Sequence, residues 1–280
     1  MASLHRPMKM HGGVHAELDR YVNDDDWLME QKLDGTRAMV NVSISPDGTP
    51  HYSWVSGGGN VLSHSAATQW FAHFETELAP AEEEYWLDGE IMINSGEFWV
   101  YDIVGYGDRD LTTVSFADRR KVLEALFKSF GLGGQRVNVL PQSKTAKEKR
   151  FLYQEIDRLG GEGVVLKYVN GIYVDGGRTQ QQLKLKFRKT VDCIVTDRNV
   201  KGGCNARLSV FQEGKLRPIG GCSMIGKPDA QPGDVVEVGY LYATEALVVY
   251  QASLHCLRPD KPAEECTIDQ LRPVSKEVVR

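Results

Sequence analysis

Lysine, aspartate, glycine and arginine fall within six residues at Lys32-Leu-Asp34-Gly35-Thr-Arg37, and taken alone this hexapeptide reads equally as a reactive loop or a solvated turn. Its companions decide between the two. In chain order they are Asp88-Gly89-Glu90, the aromatic run around Tyr101, Glu162-Gly163 leading to Lys167, Lys184-Leu-Lys186, and Arg258-Pro-Asp260-Lys261. Six such elements in this order make coincidence a poor explanation. Glu90 and Glu162 each adjoin a glycine at a strand end, where a carboxylate can approach a ligand closely, although a surface salt bridge is the plainer alternative. Lys184 and Lys186 stand two apart on a strand and so share one face; alone they would be two solvated lysines. Tyr101 alone would be a core residue.

These residues need elements to hold them. Residues 27–31 read as a short strand running into Lys32, and residues 38–44 alternate as a strand leaving it. Residues 67–78 read as a helix whose Trp70, Phe71, Phe74 and Leu78 share a core-facing stripe. Residues 85–93 and 97–104 read as paired strands across a turn at 94–96. Helices are expected at 115–130 and 145–159, each opened by a hydroxyl residue and closed by glycine, with a strand at 162–167 directly after. Beyond Val191 the pattern changes to short β runs between Gly- and Pro-rich turns, among them 235–238 and 246–250. That change predicts a small β-barrel and a boundary near Lys189.

A chain of 280 residues is comfortable as two domains, and 41% hydrophobic with 25% charged residues is an ordinary globular balance. No stretch nears the roughly 18 uninterrupted apolar residues of a membrane span, and the first ten residues carry no secretion signal, so a cytoplasmic protein without membrane contact is expected. All five cysteines lie in the last third without C-x₂-C spacing, which predicts free thiols and no zinc site. A net charge of −5 excludes a coat of basic charge but leaves room for local basic patches.

With these motifs in this order the chain resembles the covalent nucleotidyltransferases, and most closely the ATP-dependent DNA ligases of minimal two-domain size, from about Arg6 to Leu271. The resemblance implies an α+β protein: an ATP-grasp-like adenylyltransferase domain over 1–189, then an OB-fold β-barrel over 190–280. It implies ATP as the nucleotide, Mg²⁺ or Mn²⁺ as the metal, and a monomer acting on nicked duplex DNA in repair, replication or recombination. Nicks between a 3′-hydroxyl and a 5′-phosphate would be sealed through a lysyl-AMP and a DNA-adenylate. Lys32 takes the part of the nucleophile, since a lysine amine gives a phosphoramidate whose nitrogen leaves well once protonated. The amine must be neutral to attack, and nearby cations such as the metal and the Lys184/Lys186 pair would disfavour a third positive charge. Lys184 and Lys186 are expected on the α-phosphate, Glu90 near the ribose or the metal, and Glu162 on the metal. Tyr101 and Val165 would flank the adenine, and Glu30 would accept its amino group while rejecting guanine. Gln31, Arg37 and Lys167 complete the nucleotide contacts, with Arg37 and Lys167 on phosphate or ribose. Arg258, Asp260 and Lys261 would act in the adenylation step, from a second domain.

Where the family carries an arginine after the first motif, this chain has Gly57. Arg119, Arg120, Lys121, Lys144, Lys147, Arg188 and Lys201 are the candidate DNA footprint, each of them otherwise a solvated charge. Other readings stay open. A capping guanylyltransferase shares the lysine motif and the R-x-D-K ending, an RNA ligase is the alternative whose most similar groups lack an OB-domain ending in Arg258-Pro-Asp260-Lys261, and the non-enzymatic reading is an OB-fold nucleic-acid binder with a degenerate partner domain.

Overall fold

The computed structural model describes residues 5–13, 15–63, 66–78, 83–198, 204–271 and 273. The chain folds as two compact units, one of Met1–Gln154 with Gly163–Leu185 and one of Glu155–Glu162 with Lys186–Arg280.

The first unit is built on two sheets. One has four strands in the order Lys9–Gly12, Arg178–Lys186, Gly163–Tyr168 and Trp27–Gln31. The other runs Pro50–Ser56, Thr36–Ile44, Tyr85–Met92, Glu97–Tyr106 and Arg109–Asp110, with Val137–Val139 beside Glu97–Tyr106. Alternation explains why the second sheet holds: Val40, Val42, Leu87, Phe98 and Val100 all point into one core, with Phe74 and Leu78 beneath them. Trp70 and Phe71 pack against that core half-buried, so the expected stripe is present, although its first turn, Thr68–Trp70, is a 3₁₀ turn before the helix Phe71–Glu77.

The helix expected at 115–130 is Phe116–Phe130. Ser115 caps it by accepting from the Asp118 amide, and Gly131 closes it at φ 59°, a left-handed conformation that glycine adopts freely. The helix expected at 145–159 is Ala146–Leu159, where the Glu148 amide donates to the Thr145 hydroxyl at 3.3 Å.

The glycine of Asp88-Gly89-Glu90 is required by space, because a Cβ there would sit 2.6 Å from both the Phe98 ring and the Trp99 carbonyl oxygen. Gly89→Ala is therefore expected to cost about 1–3 kcal/mol through overpacking, to be read by denaturant melts; a melt matching wild type would show that the strand pair can yield.

In the second unit, strands Lys189–Arg198, Asn205–Gln212, Lys215–Ser223, Ser253–Leu257 and Val235–Tyr240 close into a five-stranded barrel in that order. Val191, Cys193, Val195, Val236 and Val238 fill it. The β run expected at 246–250 is corrected: only Val249–Tyr250 is strand, because Thr244 to Val248 form a turn with Leu247 at φ 57°. Among the described residues all five cysteines are free thiols, with Cys193, Cys222 and Cys266 buried and Cys204 and Cys256 exposed. No helix among the described residues is long and apolar enough to cross a membrane.

Candidate active site

Antiparallel pairing of Trp27–Gln31 with Gly163–Tyr168 sets Glu30 opposite Val165 and Leu28 opposite Lys167. Residues two apart on a strand share a face, so Glu30, Val165 and Lys167 project to one side while Met29, Val164 and Leu166 face the other. That first side is one wall of a pocket in the first unit. Glu30, Gln31, Lys32, Arg37, Glu90 and Tyr101 line it, and Val165 and Lys167 line it too. Eight residues picked out from the sequence thus converge on a single cavity, which Met10, Leu33, Leu140 and Gln182 complete.

Lys32 is half-buried. Its amide donates to the Gly163 carbonyl at 2.9 Å, and its Nζ lies 3.4 Å from the Leu33 carbonyl. Gly163 has φ 145°, a conformation that L side chains rarely adopt, which explains glycine after Glu162. Gly35 is equally constrained, since a Cβ there would collide with the Ile91 carbonyl and the Glu90 side chain. The loop at Lys32 and the strand after Glu162 therefore meet backbone to backbone.

Glu30 and Lys167 form an ion pair at 2.6 Å whose side chains are 2% and 3% exposed. Gln142 donates to the other Glu30 oxygen at 2.7 Å. Lys167 Nζ also lies 4.7 Å from the Tyr101 ring centroid and 4.6 Å from that of Phe116, within cation–π range. The Lys167 ammonium, on the wall of the pocket, is held by Glu30 and two aromatic rings, because burial demands a counter-ion.

Arg37, which also lines the pocket, is likewise held by a carboxylate. Its Nε and Nη2 bond both Asp88 oxygens, at 3.0 and 2.5 Å, and its Nη1 donates to the Met8 carbonyl. Burial opposes its charge, yet Asp88 together with Tyr101 and Tyr173 raises the guanidinium above its usual range. Tyr173 donates to Asp88 at 2.7 Å and accepts from the Met8 amide at 3.0 Å, closing a network behind the pocket.

Lys184 and Lys186 alternate with buried Leu183, Leu185 and Phe187, so they do share a face; neither lines the pocket, although Gln182 on the same strand does. Lys186 is ion-paired with Glu162 at 2.8 Å in the second unit. Also there, Arg258 holds Asp260 through Nε at 3.0 Å and Nη2 at 2.9 Å, while Arg258 Nη1 and Lys261 Nζ reach the two oxygens of Asp192 at 3.1 and 2.6 Å.

Residues 94–186 match the family model of the ATP dependent DNA ligase domain. Those residues thus carry an ATP-dependent DNA ligase domain. The chain is similar to the multifunctional non-homologous end joining protein LigD of Pseudomonas aeruginosa, 25% identical across 86% of this chain and 34% of that protein. It is also similar to LigD of Mycolicibacterium smegmatis, 30% identical across 69% of this chain and 26% of that protein. The chain thus spans about a third or less of these two curated relatives. In fold it is similar to the crystal structure of the ligase domain of LigD from M. tuberculosis, at 22% identity and a TM-score of 0.54, with 94% and 98% of the two chains covered.

Several of these partners carry no sequence signal. Asp192, Gln142 and Tyr173 lie outside every motif. Sequence reasoning could have asked only what neutralises each cationic motif residue. Of the footprint candidates, Arg119 is withdrawn: it is fully buried, with Nε and Nη2 each 2.8 Å from Asp102, and it cannot meet DNA. Arg120 is also buried, whereas Lys121 is exposed and paired with Asp118. Lys201 lies outside the described residues. Gly57 donates its amide to the Arg37 carbonyl at 3.0 Å, and a Cβ there would meet only Arg37, its Cβ nearest at 3.4 Å, so no crowding demands glycine in place of the family's arginine.

Proposed function

We propose that this protein seals 3′-hydroxyl/5′-phosphate nicks in duplex DNA with ATP, passing AMP through Lys32. The carrying observation is that Lys32 stands on the rim of a pocket whose walls are an aromatic ring, Tyr101, an aliphatic face, Val165, and a buried carboxylate, Glu30. An aromatic ring and an aliphatic side chain for the base, with a carboxylate acceptor beside them, suit adenine.

In the first step Lys32 Nζ attacks the α-phosphorus, the bond to the bridging oxygen breaks, and pyrophosphate leaves with that electron pair. The nick 5′-phosphate oxygen then displaces the lysine, whose nitrogen leaves protonated, and finally the 3′-hydroxyl displaces AMP. Lys184 and Lys186 bear on the α-phosphate, Glu90 on the ribose, and Arg258 and Lys261 act in the first step. Glu162 and Glu90 are each read as a carboxylate that would hold Mg²⁺ beside phosphate and water oxygens, in keeping with its hard-ligand preference. The metal would supply charge stabilisation to the phosphates. The barrel is read as an OB-fold, and the protein as a cytoplasmic monomer without zinc, acting in DNA repair, replication or recombination.

Labelling with α-labelled ATP tests the reading: an acid-labile, base-stable protein–AMP adduct is expected, followed by transfer to a nicked duplex. Base selection is tested at Glu30. Glu30→Gln keeps the shape but replaces one acceptor by a donor and removes the counter-ion of buried Lys167, so ATP labelling should fall about ten- to a hundred-fold, and the gain of GTP relative to ATP is the readout of base selection. Equal labelling of the wild type by both nucleotides would favour the capping alternative.

A further inference from the structure

Asp192 belongs to no motif, yet it is the shared partner of the two cations in the Arg258-Pro-Asp260-Lys261 run. It lies on Lys189–Arg198 between core residues Val191 and Cys193, so alternation turns its carboxylate out of the barrel. Across the sheet it stands opposite Glu237, and Glu237 stands opposite Cys256, two residues before Arg258. Register therefore delivers Arg258 to Asp192 from two strands away. One Asp192 oxygen takes Arg258 Nη1 at 3.1 Å and the other takes Lys261 Nζ at 2.6 Å. Its own peptide is gripped from both sides by one side chain: Gln270 Oε1 accepts from the Asp192 amide at 3.1 Å, and Gln270 Nε2 donates to the Asp192 carbonyl at 3.2 Å. Asp192 is 14% exposed, Lys261 19% and Arg258 29%, so the anchor is the most covered of the three and the guanidinium the least.

We propose that Asp192 is a positioning residue that holds Arg258 and Lys261 together as one preorganised cationic site for the pyrophosphate leaving group. The inference rests on the reading of the protein as a self-adenylating ligase. Two like charges three residues apart repel; a carboxylate giving one oxygen to each fixes them side by side, while several of their donors remain for phosphate. Asp260 does not fill this role, since both of its oxygens are turned to the Arg258 guanidinium.

The test is single-turnover self-adenylation by the full chain with α-labelled ATP, alongside sealing of a nick supplied already adenylated. Asp192→Asn should lower the maximal rate of self-adenylation about ten- to a hundred-fold with little change in the ATP concentration giving half that rate. Sealing of the pre-adenylated nick should stay at the wild-type level. In an Arg258→Ala, Lys261→Ala background, adding Asp192→Asn should change nothing further, because the residue acts only through those two. Gln270→Leu, which loosens the Asp192 backbone without removing charge, should give a smaller loss confined to the same step. Self-adenylation by Asp192→Asn at or above the wild-type rate, an additive loss in the triple variant, or equal losses in both steps would each overturn the assignment. A wild-type protein that takes no label from ATP would overturn instead the reading on which it rests.

Discussion

Lys32→Ala is expected to reduce covalent AMP labelling to background while leaving the protein folded. The Lys32 amine is the only protein group in the proposed scheme that bonds to phosphorus, and the other lysine of the pocket cannot stand in for it: Lys167 is locked at 2.6 Å onto Glu30. Folding should survive, because the backbone bond from residue 32 to the Gly163 carbonyl does not involve the side chain and Lys32 is only half-buried. A nick that already carries AMP should still be sealed, since the last displacement has no need of the lysine as nucleophile. Gel detection of the labelled protein, with a thermal melt as control, reads the outcome. A folded alanine variant that still formed the adduct would move the nucleophile elsewhere.

Asp102→Ala is expected to destabilise the first unit by about 3–5 kcal/mol, the cost of stranding a buried charge, and so to lower the melting temperature by about 10 °C. Arg119 and Asp102 are 0% and 1% exposed and meet in a two-pronged bond, with both donor distances at 2.8 Å. Remaining Arg119 donors go to the Val114 and Gly171 carbonyls at 2.6 and 3.2 Å, so the guanidinium cannot swing to water when its counter-ion is lost. Burial opposes its charge, but Asp102 holds it above the usual arginine range. Asp102 adjoins Tyr101, so nucleotide binding should weaken along with stability. Asp102→Leu combined with Arg119→Met removes both charges and should recover part of the loss. A single alanine variant melting within about 1 °C of wild type would show that water reaches the cation.

Motif order was legible because chemistry restricts residue type at each place: glycine where a Cβ cannot fit, as at Gly35 and Gly89, and alternating lysines where one strand face is used, as at Lys184 and Lys186. Helices showed through their caps, Ser115 and Thr145 at the starts and Gly131 at one end. Arg119 misled, because a helix charge beside a run of others looks like surface until the facing strand supplies Asp102.

By itself the sequence determined the change from a mixed α/β pattern to short β runs, which follows from local period and capping, while the resemblance to a known family singled out eight of the twelve pocket-lining residues and the nucleophile candidate. Only the tertiary structure decided which charges are free and which are spoken for. Gln142 reaches Glu30 across 112 residues, Tyr173 reaches Asp88 across 85, and Asp192 reaches Lys261 across 69. Spacing encodes the turn of a helix or the pleat of a strand, but the partner of a buried charge depends on where a distant segment returns, and that is set by the packing of whole sheets.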